Sequence, residues 1–565
     1  MPPISRPTAS SLRATTWEEV RAYYATLTER PLDRGTAEGW LREWSDYESA
    51  LSEAAALAMI DYTCDTEDAG KRELYQRFSG DILPRAEELS VALAKRLVAL
   101  GWAPKGMELP VRRFRAQIEI FREANVPLLA QGEKLGSEYQ AIVGGFTAEW
   151  EGGQLPIPQL APFLKDLDRG VRERAFRAST APYIAARGQL AAIFDQQYAL
   201  RQQVAKNAGF PDYEKYAFAS KQRFDYTPDD CRRWHDAVEA AVLPAVERIH
   251  AARRKRLGLD RLRPWDMEVD PLGRAALKPF TTDQQLIATT EQVFVMVDAE
   301  LGVEFTTMRQ EGLLDLGSRK GKAPGGYCET LHERGRPFIF MNAAGTMEDV
   351  MTLLHESGHA FHAFSSHALP LLWQRNPTME QAELASMGME LLAFDGLRRS
   401  QGGFFDEAEW GRARREHLED VLFTLPHVSS VDALQSWIYT SGQGHDAAAR
   451  DAEWCRLRSR FDQGADWTGL EAERVGRWYR QLHIFLYPFY YIEYGLAQLG
   501  AIQLWLNARR DHPAALAAYR RALALGGTVT LPQMYQAAGV ELVFDRGRMA
   551  ELVAAVEEEL ARLPE

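Results

Sequence analysis

The 565-residue sequence predicts a mostly helical fold with a small β-sheet beside one of its helices. Apolar residues recur with the 3.6-residue period of amphipathic helices over most of the chain, and strand signals are few. The best strand signal is Tyr327–Asn342, where two short runs flank Arg334-Gly335-Arg336 as in a hairpin. Because one compact core does not serve a chain of this length, we expect at least two lobes.

The helical pattern is clear in three segments, which are Arg85–Leu100, Thr227–Leu257 and Pro513–Arg562, the last with a break between Gly526 and Pro532. Proline and glycine in Leu257–Phe280 indicate irregular chain, and we expect the passage between lobes there. The glycine-rich run Gly317–Gly326 is typical of a flexible turn, since its spacing does not match a phosphate-binding loop.

Composition excludes several classes of protein. The net charge is −13 and no polybasic run interleaves with aromatic residues, so we expect no nucleic-acid partner. No segment approaches about 18 uninterrupted apolar residues, so we expect no membrane span. The four cysteines form no CxxC pair, and Met1–Arg6 contains no long apolar run typical of a secretory signal. These features favour a cytoplasmic protein.

The most informative motif is His355-Glu356-Ser357-Gly358-His359, within an apolar helical stretch from Met347 to about Phe364. A helix brings residues i and i+4 to one face, about 5–6 Å apart. Two imidazoles at that distance can hold one Zn²⁺, and the adjacent Glu356 can reach water there. Thr346 is a candidate N-cap, with Asp349 completing a capping box.

Two histidines leave a catalytic zinc site short of a ligand, because such sites usually have three protein ligands. The HxxGxxH continuation of metzincins is absent, since Ser365 stands where it requires a histidine. The next predicted helix, with Thr378 and Gln381 as a capping box, carries Glu383 and Glu390 on one face in apolar surroundings. Buried carboxylates need a partner.

We therefore predict Glu383 as the third ligand of the metal. Glu390 is predicted to orient a ligand histidine, although a plain surface carboxylate would also fit the pattern. His362, three residues after His359, is more typical of a packed or solvent-facing helical histidine than of a ligand.

A three-ligand zinc site leaves one position for water and lowers its pKa, so Glu356 is the candidate general base. The tetrahedral oxyanion then needs further donors. A helix starting at Pro488 would put Tyr487, Tyr491 and Tyr494 near one face, with His483 just upstream. An aromatic stripe of this kind is also typical of core packing.

Several further segments carry a resemblance to a known family: NAGFPDY (207–213), RFDYTPDDC (223–231), RPWD (263–266), APGGYCE (323–329) and HIFLYPFYYIEYG (483–495). Together with the zinc motif, they resemble the thimet oligopeptidase / oligoendopeptidase F family of zinc metallopeptidases, in its Pz-peptidase-like branch. The resemblance implies zinc on His355, His359 and Glu383, with Glu390 beside them. It also implies transition-state contacts from His483, Tyr491 and Tyr494.

The family likeness further implies a two-lobed helical body with a deep substrate channel, with zinc on one wall. Substrate backbone would pair with the strand that contains Phe338–Asn342. We expect an N-terminal helical lobe at residues 1–200 and a catalytic region with the zinc site at residues 201–565.

The sequence thus predicts a zinc-dependent endopeptidase with one Zn²⁺ per chain. It would hydrolyse internal peptide bonds of short oligopeptides by zinc-activated water, with Glu356 as general base. Two alternatives stay open: a zinc carboxypeptidase of similar architecture and a non-catalytic peptide-binding protein. The sequence does not indicate an oligomeric state.

Overall fold

The structure, a computed structural model, describes residues 7–462 and 464–564, so the stretch Met1–Arg6 lies outside it. Helices dominate the described chain, as the sequence predicts. The helices before residue 260 are α1 Ala9–Leu12, α2 Trp17–Glu29, α3 Ala37–Cys64, α4 Ala69–Arg77, α5 Leu83–Leu100, α6 Glu108–Ile120, α7 Val126–Gly144, α8 Ala161–Leu164, α9 Arg169–Ala185, α10 Arg187–Asn207, α11 Tyr213–Ser220, α12 Pro228–Ala241 and α13 Leu243–Arg256.

The second half of the chain is equally helical. Its helices are α14 Asp283–Val297, α15 Ala299–Gln310, α16 Met347–Ser366, α17 Leu372–Arg375, α18 Met379–Ala393, α19 Glu407–Thr440, α20 Ala447–Phe461, α21 Glu471–Tyr479, α22 Leu482–Leu486, α23 Tyr491–Arg510, α24 His512–Leu523, α25 Leu531–Ala537 and α26 Arg546–Arg562.

Helix ends follow the capping signals of the sequence. Thr346 accepts a hydrogen bond from the Asp349 N–H, and the Asp349 side chain accepts from the Thr346 N–H. Gln381 accepts from the Thr378 N–H in the same way at the start of α18. The reciprocal pair at Thr346 satisfies two N–H groups that the first turn of a helix leaves unpaired. At Thr378 only the bond to Gln381 forms, because the Thr378 hydroxyl has no hydrogen-bond partner. The predicted capping box at Thr346 is therefore confirmed, and the one at Thr378 is half formed.

A three-stranded sheet lies beside α16. Its strands are β3 Leu314–Gly317, β4 Tyr327–Leu331 and β5 Arg336–Ala343, after a separate hairpin of β1 Thr147–Trp150 and β2 Gly153–Pro156. β4 and β5 pair antiparallel, with Tyr327 opposite Phe340, so the predicted hairpin is confirmed. The hairpin β1–β2 has no counterpart in the sequence prediction.

The strand order corrects the expected docking strand. The order is β3-β5-β4, and β5 is hydrogen-bonded to β3 on one side and to β4 on the other. The expectation that substrate backbone pairs with the strand containing Phe338–Asn342 is therefore wrong, because Ile339 and Phe340 have strand partners on both sides. The edge strands of this sheet are β3 and β4.

The loop 318–326, between β3 and β4, is fixed by a buried cation. The ammonium group of Lys322 has no exposed surface and donates to the carboxylate of Asp315 at 2.9 Å and to the Gly317 carbonyl at 2.9 Å. The loop also contacts the end of α3, where the Ala323 N–H donates to the Thr63 carbonyl at 2.8 Å. This glycine-rich run is thus anchored at both ends.

Apolar side chains form two main cores. One gathers residues between Ala9 and Phe114 together with Leu371, and a larger one extends from Ala56 to Leu560. The two-lobed expectation agrees with this separation. The division at residue 200 stays a prediction.

Two further expectations concern the length of one predicted helix and the absence of membrane-spanning helices. The predicted run Thr227–Leu257 is two helices, α12 and α13, which meet at Val242. No helix of the described chain combines the length and the apolar character that crossing a bilayer requires. A cytoplasmic location stays a prediction.

Candidate metal centre

The HExxH motif lies in the middle of α16, and its two histidines share one face. The ring centroids of His355 and His359 are 5.0 Å apart, as the i, i+4 spacing requires. Each side chain retains 18% exposure, so both imidazoles reach open space.

Helix α18 brings a carboxylate to these imidazoles. Glu383 Oε2 lies 3.3 Å from His355 Nε2 and 3.8 Å from His359 Nε2. Ligand atoms of the three residues all lie within 4.8 Å of one another. The close approach of α16 and α18 depends on Gly358, where an added Cβ would stand 2.5 Å from the Ala385 carbonyl oxygen. The three predicted ligand residues therefore lie together, and their binding of a metal stays a prediction.

The electrostatics of the group suit a cation. The Glu383 side chain is 2% exposed. Burial opposes its charge, but His359 and the hydrogen bonds from His355 and Tyr490 lower its pKa to about 2. Burial likewise opposes a charge on His355, yet hydrogen bonds to Glu383 and Glu390 raise its pKa well above the usual value. Two imidazoles and one carboxylate with room beside them are the donor set of a catalytic zinc site.

Glu390 lies on the far side of His355. Its Oε1 is 2.7 Å from His355 Nδ1, which leaves Nε2 of the same ring facing Glu383. A carboxylate in this place fixes the tautomer and the plane of a ligand imidazole. The structure thus places Glu390 where the predicted orienting role requires it.

Glu356 points into the cavity beside the histidines and makes no hydrogen bond to them. Burial raises the pKa of Glu356 to about 7. The charge of His355 lowers this pKa, and the carboxylates of Glu383 and Glu390 raise it further. Gly326, directly before β4, lies against it: an added Cβ there would stand 3.7 Å from Glu356 Oε1. A side chain at position 326 would narrow the space that faces the carboxylate.

The segment that follows α22 differs from the sequence prediction. The helix begins at Tyr491 and not at Pro488, because Phe489 has a left-handed backbone with φ of +61°. Consequently Tyr490 faces the site, and its hydroxyl donates to Glu383 Oε1 at 2.5 Å. The sequence analysis did not select Tyr490; its position next to two selected tyrosines was the only available signal.

The selected residues of this segment take different positions. The hydroxyl of Tyr494 lies 3.3 Å from Nε2 of His483, and both side chains line the cavity that contains the metal group. The hydroxyl of Tyr491 donates instead to Gln481 Oε1 at 2.8 Å. Tyr487 is 52% exposed at the cavity wall. The catalytic roles of these residues stay predictions.

The metal group opens into a cavity of about 1960 Å³. One part of its wall comes from residues of α3, α4 and α7, and another part comes from α16, α18 and the segment 482–494. Four residues of the edge strand β4, Tyr327–Thr330, also line it. His362 lies nearby, 3% exposed, and is a packed histidine outside the three-residue metal group. The predicted deep channel is present.

A helical body with a deep channel, and an HExxH helix completed by a glutamate from a second helix, define a metallopeptidase. Comparison with known proteins makes this assignment specific. The profile of peptidase family M3 matches residues 163–552, and that of the peptidase M3 N-terminal domain matches residues 11–104. The chain belongs to peptidase family M3, and it is a metallo-oligopeptidase of that family.

Individual relatives agree with the family. An oligoendopeptidase F homolog of Borreliella burgdorferi is 21% identical, with 76% of this chain and 72% of that protein aligned. The oligopeptidase PepF of Bacillus subtilis is 26% identical, but the match spans 41% of this chain and only 33% of that protein.

The likeness to solved structures extends over the whole chain. Pz peptidase A with a bound inhibitor has a TM-score of 0.90 at 26% identity, covering 99% of this chain and 98% of that one. A putative oligoendopeptidase F has a TM-score of 0.89 at 26% identity, with 99% and 97% covered. The mostly helical fold with its small sheet is that of these proteins.

Proposed function

We propose that this protein is a zinc-dependent endopeptidase that hydrolyses internal peptide bonds of short oligopeptides, with one Zn²⁺ per chain. The observation that carries the proposal is the position of the group His355, His359 and Glu383 inside a cavity lined by an edge strand. His355, His359 and Glu383 would hold the ion, and Zn²⁺ in such a site acts as a Lewis acid that lowers the pKa of water.

Glu356 is the general base in this proposal. Its carboxylate lines the cavity beside the ligand histidines, and it is free of hydrogen bonds to them. A carboxyl group whose pKa lies near neutral pH can accept a proton from the attacking water and then donate it to the leaving amine. Burial of Glu356 provides a pKa of that kind.

His483 and Tyr494 are the proposed donors to the oxyanion. Burial raises the pKa of the Tyr494 phenol well above its usual value, so the hydroxyl keeps its proton at neutral pH. Burial also lowers the pKa of His483 to about 4, so its ring is neutral and carries one N–H. Preorganised donors of this type stabilise negative charge that develops in the transition state.

Tyr490 has a different role in this proposal. Its hydroxyl is already committed to Glu383 Oε1 at 2.5 Å. A donor to the outer oxygen of a ligand carboxylate holds that carboxylate in orientation, so we propose that Tyr490 supports the metal ligand. The hydroxyl of Tyr491 donates to Gln481 Oε1, and its transition-state contact stays a prediction.

Strand β4 is the proposed binding edge for the substrate. Its residues Tyr327–Thr330 line the cavity, and the side of β4 away from β5 has no strand partner among the described residues. An extended peptide can add to such an edge through main-chain hydrogen bonds. The substrate would then lie along α16, past Glu356.

A peptide blocked at both ends tests the proposal against the exopeptidase alternative. We expect the zinc-loaded protein to cut an acetylated and amidated peptide of about ten residues at an internal bond, as read by mass spectrometry. A matched Glu356→Gln sample controls for contaminating peptidases. The same peptide with free ends is tested in parallel. Cleavage of that peptide alone, from its carboxyl end, would favour a carboxypeptidase. Peptide binding without cleavage in both samples would favour a binding protein.

A further inference from the structure

Phe489 has a backbone conformation that residues with side chains rarely adopt. Its φ is +61°, its side chain is fully buried, and it directly precedes Tyr490. A left-handed conformation costs free energy at residues other than glycine, because Cβ approaches a carbonyl oxygen. Such a conformation persists only where the surrounding structure enforces it.

Two buried side chains bind the N–H and the carbonyl of Phe489. The Phe489 N–H donates to Oε1 of Gln435, on α19, at 2.7 Å. The Phe489 carbonyl accepts a hydrogen bond from the guanidinium of Arg223. Gln435 and the Arg223 side chain are each 1% exposed. Water cannot replace either contact, so a rotation of Phe489 would leave buried polar groups unpaired.

Arg223 also connects the turn to the two helices of the metal centre. Its guanidinium lies 2.7 Å from Glu493 on α23 and 3.6 Å from Glu380 on α18. Glu380 is one turn before Glu383, and Glu493 directly precedes Tyr494. One buried cation thus holds the turn, the helix of the third ligand and the helix of the tyrosines together.

We propose that Gln435 and Arg223 are positioning residues, which hold Phe489 left-handed so that Tyr490 reaches Glu383. Tyr490 follows Phe489 directly, so relaxation of φ from +61° to the usual negative range would turn the backbone that carries the phenol. The hydroxyl would then leave Glu383. The consequence for hydrolysis rests on the proposed function, whereas the consequence for metal binding does not.

The first experiment compares Gln435→Leu with Gln503→Leu. Gln503 is a buried glutamine of α23 that bonds the Glu541 carbonyl at 2.9 Å, far along the helix from Tyr490. We expect Gln435→Leu to weaken Zn²⁺ binding about tenfold in a chelator competition, and to lower kcat about tenfold with KM within about twofold. Gln503→Leu should change neither. Native Zn²⁺ affinity in Gln435→Leu would overturn the proposal.

The second experiment is a double-mutant cycle with Phe489→Gly. Glycine adopts positive φ without strain, so it does not need the two contacts to stay left-handed. The loss of Zn²⁺ affinity caused by Gln435→Leu should therefore be several-fold smaller in the glycine background than in the phenylalanine background. Equal losses in the two backgrounds would show that Gln435 does not act through the backbone of Phe489.

A third variant keeps the proposal testable if Gln435→Leu does not fold. If circular dichroism shows that Gln435→Leu is unfolded, Arg223→Lys replaces it, because lysine keeps the charge but cannot make all three guanidinium contacts at once. Weaker Zn²⁺ binding by folded Arg223→Lys supports the proposal, and native affinity overturns it. If the unmodified protein cuts no peptide, the proposed function fails, and Zn²⁺ affinity still decides the positioning role.

Discussion

Tyr490 donates its hydroxyl proton to Oε1 of Glu383 at 2.5 Å, while Oε2 of the same carboxylate lies 3.3 Å from His355 Nε2. One oxygen is therefore fixed by a phenol, and the other faces the imidazoles. Ser386 adds a hydrogen bond to Oε2 at 3.0 Å. The orientation of the predicted third ligand is set by Tyr490, which directly precedes α23, and by Ser386 on α18.

Tyr490→Phe is expected to weaken Zn²⁺ binding by about 10–100-fold, since it removes the donor that orients Glu383. Competition with a chelator of known affinity measures the effect. Tyr491→Phe is the matched control, because its hydroxyl bonds Gln481 and not a ligand. Equal Zn²⁺ affinities for the two variants would contradict the role of Tyr490.

Glu356→Gln is expected to lower turnover by about 10²–10⁴-fold, because the amide cannot accept the proton of the attacking water. Zn²⁺ content should equal that of the unmodified protein, since Glu356 is outside the ligand group. Metal analysis and peptide hydrolysis are measured on one sample. Glu348→Gln, on the same helix, is the control. Near-normal turnover of Glu356→Gln would contradict the assignment of Glu356 as general base.

Tyr494→Phe is expected to lower kcat by about 10²-fold and to change KM little, as for a donor that acts mainly in the transition state. Steady-state kinetics on one blocked peptide separate the two constants. Tyr491→Phe again serves as control, with a smaller loss of kcat. An unchanged kcat for Tyr494→Phe would leave that tyrosine a packing role.

Stability should depend on pH through Glu304, on α15. Burial raises its pKa from 4.5 to about 8, and its Oε2 has no hydrogen-bond partner. A raised folded-state pKa means that the folded protein binds the proton more tightly than the unfolded chain does. The destabilisation is therefore absent below pH 4.5, grows between pH 4.5 and about 8, and is complete above that.

Glu304→Gln should thus stabilise the protein by about 1–2 kcal/mol at pH 9 and by much less at pH 5. Urea unfolding at the two pH values measures the difference. Glu247→Gln, at an exposed position of α13, controls for the loss of a charge. A gain that is the same at both pH values would show that Glu304 is not the titrating group.

The metal group could be predicted from sequence because local rules fix most of it. Helical spacing alone sets the distance between His355 and His359. Glu383 is on another helix, but a carboxylate among apolar residues requires a partner, and that requirement identified it. The capping boxes at Thr346 and Thr378 are equally local, and they gave the starts of both helices.

Two features depend on contacts that no local pattern reveals. Left-handed backbone usually occurs at glycine, so a phenylalanine at position 489 does not predict it. The start of the helix at Tyr491 and the contact of Tyr490 with Glu383 were therefore not predictable. The hairpin β4–β5 was visible, but its free edge depends on where β3 pairs, and the partners Leu314 and Ile339 are distant in sequence. The division of the chain at residue 200 has no local signal of this kind.

The proposed binding of substrate along the edge strand β4 has a consequence for selectivity. Backbone carbonyl and N–H groups are shared by nearly all residues, so a strand edge that binds these groups accepts peptides of very different composition. Proline is the exception, since it has no N–H to offer. A mixed peptide pool treated with this protein should become enriched in proline-containing fragments, whatever other side chains they carry.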